Sequence, residues 1–198
     1  MHSMTVADDV QTLDGLIALL ERHERDGRGH ARRVARLTMV LADALGACTN
    51  GQRLVLEHGA LLHDIGKLRI PSAILLKSAP LDTEEWQVMR RHPQLGYDLL
   101  VTLPEFADGA GIVLSHHEAF DGGGYPHGLK GAEIPIGARI LAVADSYDSM
   151  THPHIQRPAM PSALAVSEIA RCRGSQFDPD IVDALGTVLA DAAEDQAS

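Results

Sequence analysis

Between residues 10 and 24 (VQTLDGLIALLERHE) the apolar positions Leu13, Leu16, Ile17 and Leu20 recur every three or four residues, with charged side chains between them. That period predicts an amphipathic helix. The segment DGRG at 26–29 interrupts it. The same period returns from about 30 to 45, where Val34, Leu37, Leu41 and Leu45 share a face ahead of Gly46, a residue suited to closing a helix. A third helix is expected from about 50, carrying Leu54, Val55, Leu61 and Leu62 to an end at Gly66. Pro71 and Pro80 then impose an irregular connection. A helix starts near Thr83 and runs to about Arg91, and Pro93 forces a break. Residues 94–102 and 110–117 read as two more helices. The polar stretch 118–135, rich in glycine and proline, reads as a loop. An apolar helix follows from Ile136 to Met150, QRPAMP (156–161) breaks it, and helices at 162–172 and 179–190 close the pattern. No segment alternates with period two, so the expected class is all-α. Residues 1–25 are expected as a helical extension, 26–190 as the domain proper and 191–198 as a disordered tail.

Composition narrows this further. The 198 residues suit one domain with its own core. Apolar residues make up 45% and aromatics only 4%, which favours helices over a β-sandwich. The formal net charge of -10 excludes a nucleic-acid-binding surface on bulk charge, and a small anionic substrate would need local cations. Cys48 and Cys172 have no CxxC spacing, which fits a reducing compartment. No apolar run approaches the roughly 18 residues of a membrane span, and no leader pattern opens the chain. A cytoplasmic protein without membrane contact is expected.

The polar residues that intrude on apolar helices point to chemistry. There are 11 histidines, and several stand beside acids at helix ends. His63 and Asp64 end the apolar run GALLHD; adjacent helical residues point about 100° apart, so both reach one ion only from a helix end. Lys67 follows Asp64 by three. His30 opens a helix, His92 ends one, His116 and His117 end another, and Asp145 emerges from the apolar RILAVAD. A carboxylate there is costly to bury unless it is paired or holds a metal. Imidazoles and carboxylates together suit iron, manganese, nickel or zinc. Seven ligands exceed one closed site and match two or three ions sharing groups. His2, His23, His58, His127, His152 and His154 read as ordinary surface or core histidines.

The segments GHARRVARL, LLHDIGKLRIP, RRHPQLGYDLL, SHHEAFDGGGYPHGLKGAEIPIGARILAVADSYDSMT and GSQFDPDIV resemble, in order and spacing, the HD-GYP domain, a subgroup of the HD metal-dependent phosphohydrolases. The likeness covers about residues 28–185. It implies an HD-domain helical bundle with a Gly/Pro-rich GYP loop (Asp121, Gly122, Gly124, Tyr125, Pro126), holding two or three divalent ions, iron ahead of manganese, nickel or zinc. It places His30, His63, Asp64, His92, His116, His117 and Asp145 on metal-ligand positions, and Asp26 where some members carry a third-metal Glu. The implied reaction is hydrolysis of cyclic di-GMP to the linear dinucleotide pGpG or onward to GMP by metal-bound hydroxide, with Asp64 and Lys67 catalytic and Lys67 neutralising charge on the phosphoryl oxygens. Glu118 and Asp121 read as braces of the loop or as partners of the ligand imidazoles. In the family the GYP loop is also a contact surface for GGDEF-type diguanylate cyclases, and a homo-oligomer is compatible with the pattern.

One segment departs from the family. Where it reads close to S-D-R-P-Y-R, this chain has HPHIQRPAMP (152–161). Arg157 matches the second basic position as a substrate contact, whereas His154 stands at the first and Ile155-Gln156 replace Pro-Tyr. A neutral imidazole cannot form a bidentate clamp on phosphate, at a cost of about 1.5–3 kcal/mol. Two alternatives follow: hydrolysis of another cyclic dinucleotide, or a silent module that docks GGDEF-type partners.

Overall fold

The computed structural model describes residues 12–24, 29–153 and 158–197. Ten α-helices occur among them: α1 (Leu13–Glu24), α2 (His30–Ala44), α3 (Asn50–Leu61), α4 (Ser72–Leu75), α5 (Thr83–Met89), α6 (His92–Leu100), α7 (Ala110–Ser115), α8 (Ile136–Thr151), α9 (Ser162–Arg171) and α10 (Pro179–Ala197). Short 3₁₀ turns at Ile65–Arg69, Ala107–Gly109 and Gly131–Glu133 join them. The described residues contain no β-strand, only an isolated bridge between Arg173 and Phe177. The all-α expectation holds. None of the described helices is long and apolar enough to cross a membrane.

The apolar stripes of α1 and α2 meet where their period predicts, whereas in α3 Leu54 is exposed and Leu56 fills the core in its place. Leu16, Ile17 and Leu20 of α1, Val34 and Leu41 of α2, Leu56 of α3 and Ile140, Leu141 and Val143 of α8 share one hydrophobic cluster. Helix α1 is therefore part of the same core, not an appendage to it. Helix α2 packs along α8 and α3, and α6 packs on α7 and on the 3₁₀ turn 65–69. Asp82 opens α5 by accepting the Glu85 N–H at 2.9 Å, one residue before Thr83. Pro93 sits in the first turn of α6, where its missing N–H costs nothing, so the break falls just ahead of it.

Two boundaries differ from the sequence reading. The final helix runs through residues 191–197, expected as a tail. Helix α3 ends at Leu61 instead of Gly66. From there the backbone tightens: the Ile65 N–H donates to Leu62 O at 2.9 Å and the Lys67 N–H to Asp64 O at 2.8 Å, three-residue bonds that turn His63 and Asp64 out of the helix.

Gly66 allows that turn to touch α6. A Cβ there would lie 2.0 Å from His92 O and 2.5 Å from Gly96 N, both backbone atoms that cannot swing away. Gly66→Ala should therefore force the turn and α6 apart and cost about 3 kcal/mol in urea unfolding. A loss below about 0.5 kcal/mol, ordinary for an exposed site, would show that this contact is not tight.

Candidate metal centre

Five separate elements deliver the polar intrusions to one place. His30 is the first residue of α2, His63 and Asp64 follow α3, His92 is the first residue of α6, His116 and His117 follow α7, and Asp145 lies within α8. His30 Nε2 lies 3.3 Å from Asp145 Oδ1 and 4.0 Å from Asp64 Oδ2. His63 Nε2 lies 3.2 Å from Asp64 Oδ2 and 3.9 Å from Asp145 Oδ1. On the other side, His92 Nε2 is 3.3 Å from Asp64 Oδ1 and 3.3 Å from His116 Nε2. The rings of His116 and His117 are 4.0 Å apart between centroids. Two triads result, His30–His63–Asp64 and His92–His116–His117, each compact enough to hold one ion. Asp64 turns one oxygen to each.

The imidazoles are aimed from behind. Nδ1 of His63 donates to Ala60 O at 2.8 Å, that of His92 to Met89 O at 2.9 Å and that of His116 to Val113 O at 2.6 Å. A carbonyl only accepts, so each of these rings carries its proton on Nδ1 and turns Nε2 toward the centre. His30 Nδ1 instead faces Asp148 Oδ2 at 2.7 Å. Arg33 grips the same carboxylate, with Nε 2.7 Å from Oδ1 and Nη2 3.0 Å from Oδ2. Lys67 Nζ lies 2.6 Å from Asp64 Oδ2 and 2.9 Å from Glu24 Oε1.

Burial opposes charge on all these groups, and their neighbours decide the outcome. At His30, burial lowers the pKa, but the bonds to Asp145 and Asp148 outweigh it and raise it to about 10. Burial works likewise against His63, and Asp64 pushes it up. Asp64 is buried, yet Lys67 and His63 hold it well below the carboxylate range; His30 and His63 do the same for Asp145. Desolvation wins on the other side. His92 is pushed down to about 3, and burial lowers His116 and His117 as well.

This donor set fits divalent cations. His63 Nε2 is buried with no hydrogen-bond partner among the described residues. The Nε2 lone pairs of His92 and His116 face each other and an Asp64 oxygen, acceptor against acceptor. A cation among them would turn that repulsion into coordination.

The loop after His117 folds back on itself. Glu118 accepts the backbone N–H groups of His127 at 2.8 Å and Leu129 at 3.0 Å, and Asp121 accepts that of Gly123 at 2.8 Å. Both acids brace the loop, and neither meets a ligand imidazole. Gly122 has φ +91°, and a cis peptide bond joins Tyr125 to Pro126. Asp26, Arg157 and His154 lie outside the described residues.

Sequence reading missed four participants. Asp148 stands three residues beyond Asp145 on α8, and that same-face pair of acids on an apolar helix was a usable signal. Arg33 and Glu24 act across the fold and gave none. His152, read as ordinary, has Nδ1 3.0 Å from Asp148 Oδ1.

Residues 15–181 match a family described as "HD domain". The chain is 39% identical over 177 residues to the cyclic di-GMP phosphodiesterase response regulator RpfG of Xanthomonas campestris, covering 88% of this chain and 47% of that protein. It is 37% identical over 161 residues to the 3'3'-cGAMP-specific phosphodiesterase 3 of Vibrio cholerae, covering 81% and 35% respectively. A crystal structure of a cyclic GMP-AMP-specific phosphodiesterase of V. cholerae (V-cGAP3) superposes with a TM-score of 0.72 over 91% of this chain and 48% of that one, at 19% identity, a likeness of fold. The chain spans less than half the length of each.

Removing Asp148 tests the aiming of His30. Asp148→Ala should weaken uptake of Mn²⁺ at the His30–His63–Asp64 triad about 10–100-fold in a calorimetric titration. Unchanged affinity would mean that His30 needs no support from behind.

Proposed function

The chain belongs to the HD-domain family, in its HD-GYP subgroup, and from that premise we propose that it is a metal-dependent phosphodiesterase hydrolysing cyclic di-GMP. One observation carries the reading: Asp64 presents Oδ2 to His63 at 3.2 Å and Oδ1 to His92 at 3.3 Å, so a single buried carboxylate stands between two triads of ligand type. His30, His63, Asp64 and Asp145 would hold one divalent ion, and His92, His116, His117 and the second Asp64 oxygen another. Bound there, such ions supply an acidified water and positive charge beside a phosphoryl group. Iron, manganese, nickel and zinc all suit these donors.

The chain's own residues supply the rest. Lys67 keeps its charge despite burial because Asp64 and Glu24 raise its pKa. Its ammonium carries three donors, and the two carboxylates take two, which leaves one for a phosphoryl oxygen. The Nδ1 anchors hold the imidazoles still, so the site needs no reorganisation as charge develops on the phosphate. The centre also explains how a chain of net charge -10 would accept a dianionic substrate: the cations are local and the acidic surface is not.

A hybrid cyclic dinucleotide is the second reading, favoured by the likeness to a relative named for 3'3'-cGAMP and by His154 at a position where the family carries Arg. Metal-loaded protein incubated separately with cyclic di-GMP and 3'3'-cGAMP, with products separated chromatographically, distinguishes the two. The expected result is faster opening of cyclic di-GMP to pGpG or GMP. Preference for the hybrid would move the assignment to the second reading, and no cleavage of either would leave a docking module. Asp64→Ala should abolish turnover. Lys67→Ala should lower kcat about 10²-fold with metal content unchanged, and loss of metal in that variant would assign Lys67 to holding Asp64 in place.

A further inference from the structure

The histidines of the centre are not all held in the same way. Nδ1 of His30 meets a carboxylate, and Nδ1 of His63, His92 and His116 each meets a backbone carbonyl. The ring of His117 makes no such bond among the described residues. It lies instead against Tyr125, with centroids 4.9 Å apart and planes 26° from parallel. The guanidinium of Arg90 stands over the Tyr125 ring at 5.3 Å and reaches the half-exposed Trp86 at 6.0 Å.

The loop is built to deliver that ring. The Tyr125 N–H donates to the His117 carbonyl at 3.1 Å, so stack and backbone bond join the same two residues. Gly124 packs so closely on the preceding strand of loop that a Cβ would lie 2.1 Å from Ala119 N and 2.5 Å from Glu118 Cα. Only glycine permits that approach. Glu118 then clamps the far side through His127 and Leu129.

We propose that Tyr125, clamped by Arg90, is the positioning residue for His117, its ring face doing for that imidazole what a carbonyl or carboxylate does for the other four. The role rests on the metal-centre reading above. It assigns the GYP loop a duty toward the ion at His92–His116–His117. It also makes the aromatic ring, not the hydroxyl, the part that matters, since a stack fixes the plane of an imidazole and needs no donor.

Titration of the full chain with Co²⁺ alone, followed by visible absorption, tests this without substrate or turnover. Wild type should take up two ions. Tyr125→Ala should weaken one of them about 10–100-fold and alter its ligand-field bands, while the other ion binds as before. Tyr125→Phe should restore both affinity and spectrum. Arg90→Met, which leaves the stack without its cation, should fall between them with a loss of about 2–5-fold, and it tests the idea even where the alanine variant folds poorly. Two ions bound by Tyr125→Ala as by wild type would overturn the positioning role and leave the centre standing. A Phe variant as weak as the Ala variant, or an Arg90→Met variant identical to wild type, would also overturn it. A wild type that binds no Co²⁺ would remove the metal centre and this role together.

Discussion

Everything in this fold converges on one carboxylate. Asp64 is only 4% exposed, and a charge buried to that degree is tenable only when surrounded by compensating partners. The partners come from across the chain: Glu24 through Lys67 from α1, His30 from α2, His92 from α6 and the histidine pair after α7. Each arrives at a helix end, where the backbone stops spending side chains on a face and can turn two neighbours inward. The helical bundle is thus arranged around Asp64 as much as around its apolar core. The tight approach of Gly66 to α6 brings the carboxylate and His92 together.

The charge pattern divides the centre in two. On the side of His30, His63 and Asp145, the neighbouring acids raise both imidazole pKa values against burial, and the imidazoles hold Asp145 below the carboxylate range. On the side of His92, His116 and His117, desolvation prevails and the rings are neutral donors of lone pairs. Such a contrast within a few ångströms suits a carboxylate that serves both halves.

Much of this is legible in the sequence. Period-3.6 stripes gave the helices because most of the leucines and isoleucines that mark the stripes fill the core or pack against it, Leu54 excepted. The seven ligand candidates were recognisable as polar residues at helix ends or on apolar helices, and all seven lie together, although His92, expected to end a helix, opens α6. Other features were hidden for physical reasons. The stop of α3 at Leu61 depends on a contact between Gly66 and a backbone carbonyl 26 residues later, which no local pattern encodes. Glu24 and Arg33 are surface-type residues whose partners are set only by tertiary packing. Asp148 was legible in principle from its spacing to Asp145. The sequence left Glu118 and Asp121 between two roles, and the backbone N–H groups they accept decide for the brace.

The central claim is that Asp64 would serve two cations, one held with His30 and His63 and the other with His92, His116 and His117. Electron paramagnetic resonance of the Mn²⁺-loaded chain measures it most directly, because two ions sharing a carboxylate at about 3.5–4 Å are magnetically coupled. The account predicts two Mn²⁺ per chain with an exchange-coupled spectrum that collapses to an isolated-ion signal in Asp64→Ala. Two uncoupled ions in the wild type, or coupling that survives the loss of Asp64, would contradict it.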